Sequence, residues 1–204
     1  TVGPVVTDLG GSLGGTWGDY DNDGDLDLFV SNNKNTPNFL YQNIGSGSFV
    51  RVESGEISET NTYAHGASWI DYNNDGLLDL YVTDYFPTNQ NNLYENNGDG
   101  TFTSITNSVL TKNASYSITA VWADYDNDGN IDVFVANSHG EDNNLYRNMG
   151  HGKFEEVVTG DIVNDGANSV GASWGDYNND GWMDLFVTNS SRVQANMLYQ
   201  NNGN

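Results

Sequence analysis

The sequence predicts an all-β protein, a β-propeller of four blade repeats of about 52 residues. Three observations predict it. One eight-residue string recurs four times at nearly constant spacing, each copy is followed by short aromatic and β-branched bursts, and no segment shows an apolar period of 3.6.

The recurring string is Trp17-Gly18-Asp19-Tyr20-Asp21-Asn22-Asp23-Gly24, and again Trp69 to Gly76, Trp122 to Gly129 and Trp174 to Gly181. Its first Asp falls at 19, 71, 124 and 176, giving spacings of 52, 53 and 52. A second string follows each time: Asn38 to Asn43, Asn91 to Asn96, Asn143 to Asn148 and Asn196 to Asn201. A Gly-x-Gly-x-Phe turn then appears at Gly45 to Phe49, Gly98 to Phe102 and Gly150 to Phe154.

Each unit carries four short strand signals. After the loop glycine come Leu28-Phe29-Val30, Leu80-Tyr81-Val82, Val133-Phe134-Val135 and Leu185-Phe186-Val187, residue types that suit a pleated, half-buried surface. In repeat 2 the predicted strands are 67–71, 78–83, 92–95 and 101–105. Four antiparallel strands per 40–50 residues describe a propeller blade, with a stacked solenoid as the alternative. The blades are expected at about 12–53, 64–106, 117–158 and 169–204, forming one array. Repeat 4 stops before its Gly-x-Phe strand. Val5-Val6 do not replace it, because by distance to the Trp they correspond to Ile57, Leu110 and Ile162. An open edge invites pairing, so either a longer parent protein or another chain is expected to complete blade 4.

Composition removes several functions. There are 28 acidic and only 6 basic residues, a net charge of -22, yet charged residues are just 17% of the chain. A nucleic-acid binder needs a basic groove, and six scattered cations cannot make one. Anionic membrane surfaces are disfavoured for the same reason, and no apolar run approaches the length of a membrane span. Aromatic residues make up 12%, too many for a disordered tail. With no Cys there is no disulfide, thiolate metal site or Cys nucleophile. The chain opens on Thr1 with no signal-type segment, as expected of a mature or excised piece.

The loops concentrate the chemistry. Counting the first Asp as position 1, loop 1 places Asp19, Asp21, Asp23, Asp25 and Asp27 at positions 1, 3, 5, 7 and 9. Loop 2 has Asp71, Asn73, Asp75, Leu77 and Asp79; loop 3 has Asp124, Asp126, Asp128, Asn130 and Asp132; loop 4 has Asp176, Asn178, Asp180, Trp182 and Asp184. Oxygen ligands at 1, 3 and 5, a glycine at 6 and a backbone carbonyl at 7 describe a Ca²⁺ loop. An EF-hand would need Glu at position 12, where these loops have Val30, Val82, Val135 and Val187. Turn preference alone explains one Asp-rich loop, but not acids at 1, 5 and 9 in four of them. About four Ca²⁺ ions are expected, bringing the formal charge from -22 to -14. On ligand charge, loops 1 and 3 are expected to bind more tightly.

The pattern Trp-Gly-Asp-Tyr-Asp-Asn-Asp-Gly-x-x-Asp-Leu-Phe-Val, then Asn-x-Leu-Tyr-x-Asn, then Gly-x-Phe resembles the FG-GAP/VCBS repeat family, in its cartilage-acidic-protein-like and ASPIC/UnbV-type form. Its calcium loop is similar to those of integrin α-subunit propellers. The resemblance covers essentially the whole chain. It implies a calcium-bearing β-propeller, usually extracellular, that serves as a binding or adhesion platform, often with seven blades.

Other residues add candidates. Trp17, Trp69, Trp122 and Trp174 recur in every repeat and are expected to pack blade on blade, as are Tyr41, Tyr94, Tyr146 and Tyr199. Trp182, Tyr85 and Phe86 do not recur and are candidate contacts for a protein or glycan ligand. Asn113 and Asn189 head N-glycosylation sequons. His65, His139 and His151 occupy different repeat positions, and no Ser/His/Asp arrangement emerges, so no catalytic site is expected. Two alternatives stand beside the binding module: a structural subunit that self-assembles through the open edge of blade 4, and a carbohydrate-binding module attached to an enzyme outside this chain.

Overall fold

The computed structural model describes residues 3–203. The first sheet contains β1 (Ser12–Gly18), β2 (Asp27–Asn32), β4 (Phe39–Asn43) and β5 (Phe49–Arg51), in that order. The two-residue β3 (Thr36–Pro37) pairs instead with β6 (Asn61–Thr62). The second sheet is β7 (Ala64–Ile70), β8 (Asp79–Asp84), β9 (Asn92–Asn96) and β10 (Phe102–Ser104). The third is β11 (Ser117–Ala123), β12 (Asp132–Asn137), β13 (Asn144–Asn148) and β14 (Phe154–Val157). The fourth has three strands among the described residues: β15 (Ser169–Gly175), β16 (Asp184–Asn189) and β17 (Met197–Tyr199). All neighbours are antiparallel and joined in chain order, so the protein is all-β, with several meander sheets and few helices.

The predicted strands of repeat 2 agree to within one residue except at the start of the first, which begins at Ala64 rather than Ala67. A register shift between Ala64 and Ala67 breaks the pairing there, and the same bulge recurs at Ser12/Gly14, Ser117/Thr119 and Ser169/Gly171. A bulge leaves an unpaired residue and bends the strand, which masks the alternation that strand reading relies on. Short helical turns also interrupt an array expected to have none: Pro4–Thr7, Glu56–Glu59 and the 3₁₀ turns Val109–Thr111 and Asp161–Val163. The last three bury Ile57, Leu110 and Val163 in the apolar clusters between sheets. Four residues are too few to show a helical period in sequence.

The core lies between sheets. Tyr20, Phe29 and Leu40 of repeat 1 pack with Ile57, Leu80, Val82 and Tyr94 of repeat 2, and equivalent clusters join repeats 2 to 3 and 3 to 4. The second strands β8 and β12 are therefore covered on both faces, which explains their continuous apolar runs. The first strands of successive repeats approach closely. A Cβ on Gly66 would stand 2.8 Å from the Ile118 carbonyl oxygen, so only glycine fits there.

The recurrent Trp rings mostly fill these joints. Trp69 stacks on Tyr20 with centroids 5.8 Å apart, Trp174 stacks on Tyr125 at 6.2 Å, and Trp122 meets Tyr81 edge-on at 5.6 Å. Trp122 Nε1 donates to Ser68 Oγ and Trp174 Nε1 to the Val121 carbonyl of the preceding repeat. Trp17 departs from the expectation: it is 55% exposed, because no sheet stands before repeat 1 among the described residues.

Candidate metal centres

Each Asp loop joins a first strand to a second, and its backbone is set by two residues. Position 4 is Asn22, Asn74, Asn127 or Asn179, with φ of 57 to 61°, and position 6 is Gly24, Gly76, Gly129 or Gly181, with φ of 89 to 93°. Asn is the non-glycine residue that best tolerates this left-handed region. This position was not singled out in the sequence, although Asn occupies it in all four repeats.

The turn closes on its own carboxylates. Asp19 Oδ1 accepts the Asp23 N–H and Oδ2 the Gly24 N–H, both at 3.0 Å. Asp71, Asp124 and Asp176 repeat this pair of bonds at 2.9 to 3.0 Å. The position 5 carboxylates accept the N–H of position 7 at 2.9 Å in all four loops. The result is an array of acids held at fixed positions by backbone donors.

Position 9 forms the floor. Asp27, Asp79 and Asp132 are completely buried and Asp184 nearly so. Asp27 accepts the Tyr20 N–H at 3.2 Å on one oxygen and the Asn43 N–H at 2.8 Å on the other. The same two donors meet Asp79, Asp132 and Asp184. Burial pushes the Asp27 carboxyl up to about 6 and those of Asp79 and Asp132 up to about 7; backbone hydrogen bonds oppose the shift and the neighbouring loop carboxylates add to it. A buried acid raised in this way is one whose surroundings lack positive charge.

In loop 1, oxygens of Asp19, Asp21 and Asp27 lie within 4.8 Å of one another, as do those of Asp124, Asp126 and Asp128 in loop 3. The loop 1 group includes the buried Asp27, the loop 3 group is formed by positions 1, 3 and 5 without Asp132, and among the described residues loops 2 and 4 bring no three carboxylates that close together. Hard oxygen donors so gathered fit a Ca²⁺ ion. Loops 2 and 4 replace one carboxylate by an amide, whose Nδ2 reaches the position 5 acid: Asn73 to Asp75 at 2.9 Å and Asn178 to Asp180 at 2.8 Å. Loop 3 has its own counter-ion. Arg147 of β13 pairs with Asp126 and, at 3.4 Å, with Asp128. Gln42 stands at the same strand position in repeat 1 and donates to Asp21 Oδ2 at 2.7 Å.

The asparagine at the end of the third-strand motif ties the loops of repeats 2, 3 and 4 to the preceding repeat. Asn96 Nδ2 donates to the Leu78 carbonyl at 3.1 Å and to the Tyr20 carbonyl of the preceding repeat at 2.7 Å, while its Oδ1 accepts the Gly98 N–H. Asn148 and Asn201 bond Tyr72 and Tyr125 in the same way, and Asn43 has only the local partners Leu26 and Gly45. The recurrence of this Asn was visible in sequence, but its partner 76 residues away was not.

The remaining candidates separate. Position 7 side chains lie over the glycine after the third strand: Leu77 over Gly98, Asn130 near Gly150, Asp25 near Gly45. Trp182 does the same to Gly203, so its half-buried ring has a packing role. Tyr85 and Phe86 lie at the opposite ends of the sheets from the Asp loops. There Phe86 stacks on Tyr63 at 4.6 Å, while Tyr85 meets His65, Tyr116 and His139 at 5.5 to 5.6 Å. Asn113 Nδ2 is held by Tyr146 and Glu156 and Asn189 Nδ2 by the Ala195 carbonyl, so both sequon amides are engaged. Among the described residues no helix is long and apolar enough to cross a membrane.

Comparison with known proteins bears on this architecture. Cartilage acidic protein 1 of Xenopus tropicalis is 28% identical over 176 residues, covering 82% of this chain and 27% of its own length. The Homo sapiens protein of that name is 27% identical over 188 residues, 86% of this chain and 28% of its own. The chain thus spans about a quarter of the length of these relatives. Among solved structures, an Agrocybe aegerita lectin, described for its specific recognition of non-reducing terminal N-acetylglucosamine, matches 95% of this chain and 50% of its own with a TM-score of 0.58. At 19% identity that likeness concerns the fold alone. The FG-GAP-like repeat model matches three times, at 19–82, 71–135 and 124–187, each match running from the head of one Asp loop to the second strand of the next repeat, and the chain belongs to that family.

Proposed function

We propose that this chain is a calcium-loaded, non-catalytic β-propeller module that works outside the cell as an adhesion or ligand-binding platform. The observation that carries the reading is the buried position 9 carboxylate, present four times, beneath a set of acids that backbone donors hold in place. Without a cation these acids repel one another. With Ca²⁺ bound, Asp19, Asp21, Asp23 and Asp27 and their counterparts would hold it, with the position 7 carbonyl as a further oxygen. The metal would clamp the first hairpin of every repeat. The family membership and the named relatives support an extracellular setting, where calcium is abundant.

Calcium bound to the native state alone stabilises it by about 2.7 kcal/mol per site at a concentration one hundred times Kd. Thermal melting in EDTA, then with Ca²⁺ restored, tests the reading, with Mg²⁺ as the control for a smaller ion that prefers to keep its water. Melting indifferent to chelation would sink it.

A second observation favours a place for the ligand. The aromatic and His side chains Tyr63, Tyr85, Phe86, Tyr116 and His139 gather at one end of repeats 2 and 3 and lie outside every core cluster. Repeats 1 and 4 have Asn33, Lys34, Ser190 and Ser191 in the matching second-strand loops, so the fold does not need these rings. A glycan array on the wild type and on Phe86→Ala tests this face; binding unchanged by the substitution would place the ligand elsewhere.

A further inference from the structure

The buried carboxylates of the four loops lie on one continuous hydrogen-bonded path, and Asn148 shows how it runs. Its backbone N–H donates at 2.7 Å to Asp132, the floor of loop 3 in its own repeat. Its Nδ2 donates at 3.1 Å to the Tyr72 carbonyl, in loop 2 of the repeat before. Tyr72 stands between Asp71 and Asn73, positions 1 and 3 of that loop, and donates its N–H at 3.3 Å to the loop 2 floor, Asp79. One residue, itself 1% exposed, therefore holds the ligand-bearing segments of two successive loops. Asn96 joins Asp79 to Tyr20, and through it to Asp27, by bonds of 2.7 to 3.2 Å. Asn201 joins Asp184 to Tyr125, and through it to Asp132, by bonds of 2.7 to 3.0 Å. The loop rims also meet: Asn74 Nδ2 of loop 2 donates to Asn130 Oδ1 of loop 3 at 3.4 Å, and Asn127 Nδ2 of loop 3 to the Gly181 carbonyl of loop 4 at 3.1 Å.

We propose that Asn96, Asn148 and Asn201 make calcium binding cooperative between neighbouring repeats, an inference that rests on the reading of the loops as calcium sites. With loop 2 filled, Asp71 and Asn73 are fixed on either side of Tyr72, and the Tyr72 carbonyl is fixed with them. That orders the Asn148 side chain, whose own N–H holds Asp132. Loop 3 then has its floor already set, and less ordering remains for the second ion. Linkage makes the effect reciprocal, so a filled loop 3 favours loop 2 by the same factor. Coulomb forces act in the opposite direction. A filled loop keeps less negative charge than an empty one, so electrostatics alone would weaken the site beside it. The opposite signs allow the two contributions to be told apart.

Amide NMR reads the loops separately, because each has its own position 6 glycine at the turn. A calcium titration of the whole chain is followed at Gly76 for loop 2 and at Gly129 for loop 3, in physiological salt to limit long-range charge effects. Asp71→Ala removes a loop 2 ligand, and silence at Gly76 shows that the loop is empty. This change should weaken calcium at loop 3 at least about fivefold, the lower end of common coupling factors, whereas charge alone would tighten it. In an Asn148→Ala background, Asp71→Ala should leave loop 3 unaffected. Asn148→Asp, which keeps the acceptor for the Gly150 N–H while removing the donor to Tyr72, is the second way to cut the path, and circular dichroism confirms that each variant folds. The proposal is overturned if Asp71→Ala does not weaken loop 3, or weakens it equally with Asn148 replaced; calcium would still occupy the loops in either case. Glycine signals in the wild type that ignore calcium would instead remove the calcium reading, and the coupling with it.

Discussion

Replacing Asn96 by Ala should cost far more stability than the same change at Asn43, although both residues end a third strand in the same motif. The backbone N–H of each, which holds the position 9 Asp, is kept in both variants. Asn96→Ala leaves three groups without a partner: the Tyr20 carbonyl, buried between repeats, and the partly buried Leu78 carbonyl and Gly98 N–H. A buried polar group left unpaired costs about 1–3 kcal/mol. With about 2 kcal/mol for the Tyr20 carbonyl and about 0.5 for each group that water reaches, the loss is about 3 kcal/mol. Asn43→Ala frees only the exposed Leu26 carbonyl and the Gly45 N–H, at about 1 kcal/mol. Urea unfolding in saturating calcium, at protein concentrations where the chain is monomeric, would resolve the difference of about 2 kcal/mol. Equal losses would refute the claim that this amide couples neighbouring repeats.

Two further outcomes follow from the same geometry. Gly18→Ala should destabilise by about 1–3 kcal/mol, because the new methyl meets the Trp69 ring at 2.6 Å, whereas Gly175→Ala in the monomer should be neutral or stabilising by up to about 1 kcal/mol; equivalent melts for the two variants would contradict the packing described. Arg147→Gln should raise calcium affinity at loop 3 severalfold by removing a cation paired with Asp126 and Asp128; titration calorimetry showing unchanged or weaker binding would mean that the arginine does not oppose the metal.

The arginine also shows where sequence reasoning stopped. Ligand charge alone ranks loops 1 and 3 together. Arg147 lies nineteen to twenty-one residues past the acids it meets, on a strand whose register decides which side chain faces the loop. With that cation in place, loop 1 is the proposed tightest site. Trp182 is a similar case. Its difference from other position 7 residues singled it out as a ligand contact, yet the fold sets it over Gly203. Tyr85 and Phe86, chosen on the same grounds, do lie on an aromatic surface, but their neighbours Tyr63, Tyr116 and His139 come from three different loops.

What the sequence determined by itself is whatever depends on neighbours along the chain. The four repeats, their strands to within a few residues, and the Asp loops were all legible, because a turn closed by bonds within nine residues is specified by the residues in it. The tertiary structure alone decided what depends on neighbours in space. Tyr20 and Tyr177 occupy the same place in the same motif, yet one is 3% exposed and the other 54%. The difference is the sheet that covers Tyr20, since burial, and the hydrophobic and electrostatic energies that follow from it, belong to the surroundings of a side chain and not to its identity.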